Sequence, residues 1–275
     1  KGVTAPLIVS FLGYQKSAIA SYSQENIYRI LLMEDLSMLD EVVISTDDGM
    51  SRDLKLKYFR QEFLGKTDNG ASCTILNESD LILRFNSKNK QLTASSKKPL
   101  LVKNDNLDYL LTFDLQEFFI DYNYVDVLKG HFSINMVVYY GTSFYKDLDT
   151  MGTRKTMRKR DKAYEGSTLH FMRALSRQRL DENGYQIFER GFKIPTYKYI
   201  TVQAIEESTD VKVIMDARLI ILYDKKRQSV IEAKEDGFVV DIYGNYAPIE
   251  NVMFGGDLGD QRLGDTLPFD YKLKD

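Results

Sequence analysis

The sequence predicts an α+β protein, predominantly antiparallel β: a partial set of sandwich strands, then a larger β-rich domain with about two helices. Apolar residues recur at every second position in Tyr109, Leu111, Phe113 and Leu115, and again in Phe132, Ile134, Met136 and Val138. That is the spacing of strands with one buried face. Tyr and Phe number 18 and 15 against no Trp and only 5 Pro, a composition suited to pleated surfaces and poor in strand breakers. Helical spacing is confined to residues 51–64 and 161–180.

In chain order, the apolar run Leu7 to Leu12 closes on Gly13-Tyr14, Ile27 to Met33 follows a polar turn, and Leu39 to Ile44 gives a third short strand. Thr46-Asp47-Asp48-Gly49 reads as a linker, which predicts a front piece at 1–45 and a body at 50–275. Leu56, Phe59 and Phe63 lie at helical spacing before Gly65, a good C-terminal stop. Leu81 to Phe85 and Gln91 to Ser95 flank the polar turn Ser87-Lys88-Asn89-Lys90, a hairpin signal. Between 161 and 180, Tyr164, Thr168, Phe171, Met172 and Leu175 form one apolar stripe, and Asn183-Gly184 ends it. The runs Tyr197 to Ile205, Val211 to Met215, Arg218 to Tyr223, Ser229 to Ala233 and Phe238 to Ile242 alternate with polar turns, as in an antiparallel meander.

Composition bounds the function. Hydrophobic residues at 43% and charged residues at 28% are the proportions of a folded chain. Its 275 residues bury enough surface to need neither disulfide nor structural metal. The net charge of −3 creates no global field for nucleic acid, so any anion attraction must be local. Cys73 is the one cysteine, so neither an internal disulfide nor a CxxC site can form. No apolar run reaches the length of about 18 residues that a membrane-spanning helix needs. The chain opens at Lys1 with no apolar leader, from which we expect that an upstream segment was removed or left out.

The candidate chemistry is sparse. His131 and His170 sit in no HxxH or HExxH pattern, so no zinc site is expected. His170 falls one helical turn from Ser167, a hydroxyl and an imidazole on one face, but no G-x-S-x-G elbow surrounds that serine, and an N-cap is its simpler role. Cys73 has no basic neighbour to lower its pKa and reads as a structural thiol. Asp257, Asp260 and Asp265 among Gly255, Gly256, Gly259 and Gly264 depart from calcium-loop spacing, and the glycines lack a dinucleotide fingerprint. Neither metal nor cofactor is therefore expected. One concentration of charge stands out: Arg154, Lys155, Arg158, Lys159, Arg160 and Lys162, with Arg173, Arg177 and Arg179 beyond. All six basic residues of the run are expected at the surface as an anion or partner site, because an unpaired buried charge is costly. Stacking aromatics are missing from 151–162, which argues against nucleic acid.

Ala5-Pro6-Leu7-Ile8-Val9-Ser10-Phe11-Leu12-Gly13-Tyr14, followed by Leu39-Asp40-Glu41-Val42-Val43-Ile44, resembles the end of the carboxypeptidase regulatory-like domain, a small prealbumin-like β-sandwich common in exported proteins of the Bacteroidetes group. The remainder resembles the body of an uncharacterised family of exported proteins carrying that domain. The matching residues are Phe59-Arg60-Gln61-Glu62-Phe63-Leu64-Gly65, Cys73-Thr74-Ile75-Leu76-Asn77, Leu92-Thr93-Ala94-Ser95, Lys162-Ala163-Tyr164-Glu165-Gly166-Ser167 with His170-Phe171, and Gly264-Asp265-Thr266-Leu267-Pro268. The front carries only the closing strands of a full sandwich. The resemblance implies an exported protein of the periplasm or outer membrane and supplies no catalytic residues. The expected function is a non-enzymatic envelope binding or assembly module whose partner is an envelope protein, an acidic glycan or an anionic lipid headgroup. The alternative is a hydrolase built around His170 and Ser167.

Overall fold

The computed structural model describes residues 7–9, 17–19, 27–33, 48–148 and 152–273. The chain divides into two compact units, Lys1–Asp48 and Gly49–Asp275. In the first, β1 (Leu7–Val9) pairs antiparallel with β2 (Ser17–Ile19), Leu7 opposite Ile19. The strand expected at 27–33 is not one: these residues take neither helix nor strand conformation. The strand expected at 39–44 lies outside the described residues.

The second unit is α+β and mostly antiparallel sheet. Its first helix, α1 (Arg52–Leu64), starts where the Ser51 hydroxyl accepts from the Leu54 N–H at 3.3 Å, and it stops at Gly65, whose φ of +102° disfavours any side chain. Leu56, Phe59 and Phe63 line its buried side. A one-turn helix, α2 (Asp68–Ala71), leads into the first sheet.

That sheet contains β3 (Cys73–Ile75), β4 (Leu81–Asn86), β5 (Gln91–Ser96), β6 (Leu100–Asn104), β7 (Tyr109–Asp126) and β8 (His131–Asp147). The order is β3-β6-β7-β5-β4, with β8 running along the other side of β7. The β4–β5 turn is held by Asn86, whose side-chain oxygen accepts from the N–H groups of Lys88 and Asn89. One face of the sheet packs on α1, with Phe59 against Phe118 at 4.7 Å and Phe63 against Phe113 at 5.2 Å between ring centres.

Met136 and Val138 do not continue the buried face of Phe132 and Ile134. Pairing runs from Tyr122 opposite Ile134 to Asp121 opposite Met136, so Asn135 is an extra residue that reverses which side chains point inward. Val137 and Tyr139 take the core side instead, and Met136 is 38% exposed.

The single helix expected over 161–180 is two helices, α3 (Arg154–Tyr164) and α4 (Thr168–Ser176). Gly166 separates them at φ +67°, with the Arg227 guanidinium packed where a Cβ would stand. Ser167 then caps α4, its hydroxyl accepting from the His170 N–H at 3.1 Å.

The expected meander is likewise two sheets. β9 (Tyr185–Glu189), β10 (Phe192–Lys193), β13 (Leu219–Tyr223), β14 (Arg227–Ala233) and β17 (Val252–Gly256) run in the order β10-β9-β13-β14-β17. β11 (Ile200–Ala204), β12 (Val211–Met215), β15 (Phe238–Val240) and β16 (Tyr246–Ala247) form the other. The chain changes sheet between Met215 and Leu219, because each sheet needs a partner face for its apolar side. Ile187, Ile221 and Ile231 of one meet Val213 and Val240 of the other, closed by Phe171, Met172 and Leu175 of α4.

Residues 262–271 return to the first core. Leu263, Leu267 and Tyr271 join it, the Gly264 carbonyl accepts from Asn104 Nδ2 at 2.9 Å, and Arg262 pairs with the shielded carboxylate of Glu62 at 3.3 Å.

Candidate functional site

The basic run forms α3, and the helical period sorts it into two faces. Thr156, Arg160 and Tyr164, four residues apart, are buried. Arg154, Lys155, Arg158 and Lys162 are exposed, Lys159 is half-buried, and these five side chains frame an open depression of about 500 Å3. None of the four exposed cations forms an ion pair with a described residue. The intervening Asp161 is turned away, its carboxylate accepting from the Tyr271 hydroxyl at 2.5 Å. Lys159 donates to the Asn106 side-chain oxygen, which holds it at the margin of the face.

Arg160 corrects the expectation that all six basic residues lie at the surface. It is 5% exposed. Nε donates to the Leu107 carbonyl at 2.8 Å, Nη2 to the Asp108 carbonyl at 3.0 Å, and Nη1 pairs with Asp147 at 2.7 Å, while the guanidinium lies 3.7 Å from the Tyr109 ring centre. A planar fork with five donors can serve two carbonyls and a carboxylate at once, so its charge is compensated inside. Arg160 fastens α3 to the β6–β7 turn and is unavailable to a ligand.

The helix has a local electrostatic cost. No acid occupies its first turn, whereas α1 and α2 carry Asp53 and Asp68 there. Arg154 and Lys155 instead add positive charge to the positive end of the helix dipole. Arg154/Arg158, Arg158/Lys162 and Lys155/Lys159 are like-charge pairs one turn apart, each unfavourable by a few tenths of a kcal/mol. An anion lying along this face relieves both effects.

His170 and Ser167 are adjacent without being paired through their side chains. His170 Nδ1 accepts from the Gly166 N–H at 3.0 Å, which places the proton on Nε2, 3.0 Å from the Asn183 side-chain oxygen. Both ring nitrogens are occupied, no carboxylate is among their partners, and the Ser167 hydroxyl is engaged in its cap. Burial is the largest influence on the ring and lowers its pKa from 6.5; the Asn183 bond and Glu165 act the other way, and Arg227 and Arg173 add to the lowering. The unfolded chain therefore takes up a proton at a pH where the folded ring remains neutral. Stability from this group is complete above about pH 6.5 and is lost as pH falls toward the depressed folded value. His170→Gln is expected to lose less melting temperature than wild type between about pH 7.5 and about pH 5.5. An equal or larger loss in the variant would show that His170 contributes nothing to acid sensitivity.

The remaining candidates are engaged structurally. Cys73 is half-buried, and burial, with Asp265 and Asp105 nearby, raises its thiol pKa to about 12, far from a reactive thiolate. Asp265 accepts from the Thr67 hydroxyl at 2.7 Å and Asp257 faces Arg227 at 3.6 Å. Among the described residues, no three His, Cys, Asp or Glu side chains converge to hold a metal, and no helix is long and apolar enough to cross a membrane. His131, the first residue of β8, is exposed.

Sequence reasoning singled out the basic run but missed Tyr109, Asp147 and Asn106, which fix it in place. The signal for Arg160 was its spacing of one turn from both Thr156 and Tyr164. Asn106, Tyr109 and the Leu107–Asp108 turn lie about 50 residues earlier, and Asp147 lies at the end of another strand, none of which local spacing reveals. No protein-family model, curated protein or solved structure matches this chain.

Proposed function

We propose that this protein is a non-enzymatic module of the cell envelope that rests against an anionic membrane surface through the outer face of α3. The observation that carries this reading is the separation of roles within one helix: Arg160 fastens the inner face, and four exposed cations without described acidic partners occupy the outer one. Phosphate headgroups suit the face better than sugars, because no aromatic side chain stands among these cations to stack on a glycan ring. Export to the periplasm or outer membrane belongs to this reading through the resemblance of the front and body segments given above.

The magnitude sets the mode of action. At about 1 kcal/mol per basic residue near an anionic leaflet, four cations supply about 4 kcal/mol, equivalent to a Kd of about 1 mM. Such a contact orients a protein that a second interaction retains, and salt screens it within about 8 Å at physiological strength.

The test is cosedimentation with phosphatidylglycerol vesicles at low and high salt. Wild type is compared with Arg154→Ser/Lys155→Ser/Arg158→Ser/Lys162→Ser, which leaves Arg160 and Lys159 intact. The variant is expected to lose partitioning by about 1,000-fold at low salt, with an unchanged or slightly raised melting temperature. Equal partitioning of the two proteins would sink the proposal. Preferential binding to an acidic polysaccharide or an acidic protein, without vesicle binding, would replace the membrane with that partner.

A further inference from the structure

We propose that two copies of this chain pair antiparallel along the free side of β8, about a two-fold axis near Tyr139, so that the first sheet continues across the dimer. β8 is 17 residues long, and among the described residues it pairs with β7 alone. The other strands that border the three sheets of this unit are short: β3 has 3 residues, β4 has 6 with Arg84 inside it, β10 and β16 have 2 each, and β11 and β17 have 5 each. Short length, internal charge and proline are the usual protections of an exposed strand against pairing with another chain. β8 has none of these over most of its length. Phe132 through Tyr145 include no Asp, Glu, Lys, Arg or Pro, and the bulge at Asn135 is the one interruption.

Side chains as well as backbone favour a second copy. Met136, Tyr140 and Phe144 lie four residues apart, with exposures of 38%, 39% and 67%. They share the outer face of the sheet and stand where a neighbouring strand would be covered by them. An antiparallel strand is the natural complement of itself under two-fold symmetry, since the same row of donors and acceptors meets its own reverse. In that alignment His131 falls opposite the copy's Asp147, and no like charges face each other.

The area is sufficient. At about 3.3 Å per residue the strand runs for roughly 55 Å, and with a sheet thickness of about 10 Å each copy covers about 550 Å2. The total of about 1,100 Å2 exceeds the threshold of about 1,000 Å2 for a specific interface, at the weak end of the range. A micromolar, concentration-dependent dimer is the expectation.

The experiment is sedimentation equilibrium of the full chain from about 1 to about 100 μM, for wild type and for Met136→Lys/Tyr140→Lys/Phe144→Lys. All three positions are exposed, so added charge opposes pairing without entering the core. Wild type is expected to dimerise and the variant to weaken dimerisation by at least about 100-fold, with its melting transition retained. If the triple variant loses that transition, the single Phe144→Lys at the most exposed position carries the same readout. Three results would overturn the proposal: a wild type monomeric throughout, a dimer indifferent to the lysines, or open-ended oligomers in place of a closed pair.

Discussion

Arg160→Ala is expected to lower stability by about 3 kcal/mol, seen as a fall of roughly 6 to 12 °C in melting temperature for a chain of this size. Two shielded carbonyls, those of Leu107 and Asp108, lose their donor, and the Tyr109 ring loses the planar group lying on it. Asp147 is half exposed and rehydrates, so the ion pair is the smaller part of the loss. Arg160→Lys should recover little, because an ammonium on a flexible stem cannot serve both carbonyls and stack at once. Arg158→Ala, two residues away on the outer face, is expected to stay within about 0.5 kcal/mol of wild type. Melting curves of the three variants check the assignment. An Arg160→Ala protein as stable as Arg158→Ala would mean that α3 is not fastened by this side chain.

The largest effect is expected at Arg173, on α4. It is buried and its partners are uncharged: Nε donates to the Tyr243 carbonyl at 2.8 Å, Nη1 to the Tyr271 carbonyl at 2.6 Å and Nη2 to the Phe269 carbonyl at 2.6 Å. One guanidinium thus ties α4 to the turn before β16 and to the segment around Pro268 that closes the first core. Arg173→Ala leaves three carbonyls without their donor and opens a cavity, for a loss of about 4 kcal/mol. The effect is also local. Amide exchange at Tyr271, whose N–H donates to the Pro268 carbonyl at 2.9 Å, should accelerate ahead of exchange in β7 and β13. Uniform acceleration across all three would assign Arg173 to global stability alone.

The sequence disclosed element types where one local rule decides them. Ser51, Gly65 and the Leu56-Phe59-Phe63 stripe define α1, and the Asn86 turn defines the β4–β5 hairpin. It misled wherever a single residue changes the rule. Asn135 adds one residue to β8 and exchanges the two faces, so Met136 and Val138 looked inward although Val137 and Tyr139 are the ones that do. Gly166 interrupts what reads as one amphipathic stripe, because Tyr164 and Phe171 belong to different cores. The break between Met215 and Leu219 gives no local sign that the next strand joins another sheet, since the alternation on either side is the same. The candidate site was legible as composition, six basic residues in nine positions. The inward turn of Arg160 depends on Tyr109 and the Leu107–Asp108 turn, at a sequence distance that periodicity does not span.

The return of residues 262–271 to the first core has a consequence for biosynthesis. α1 and β3 through β8 are made first, but their packing is completed by Leu263, Leu267 and Tyr271, and Glu62, paired locally with Lys66 at 2.6 Å, gains Arg262 only 200 residues later. Closing so long a loop slows native contact formation, and a nascent chain exposes the sides of Phe59 and Phe63 until the segment arrives. The first core therefore cannot close until residues 262–271 have been made, an interval in which a holding chaperone has an apolar surface to grip.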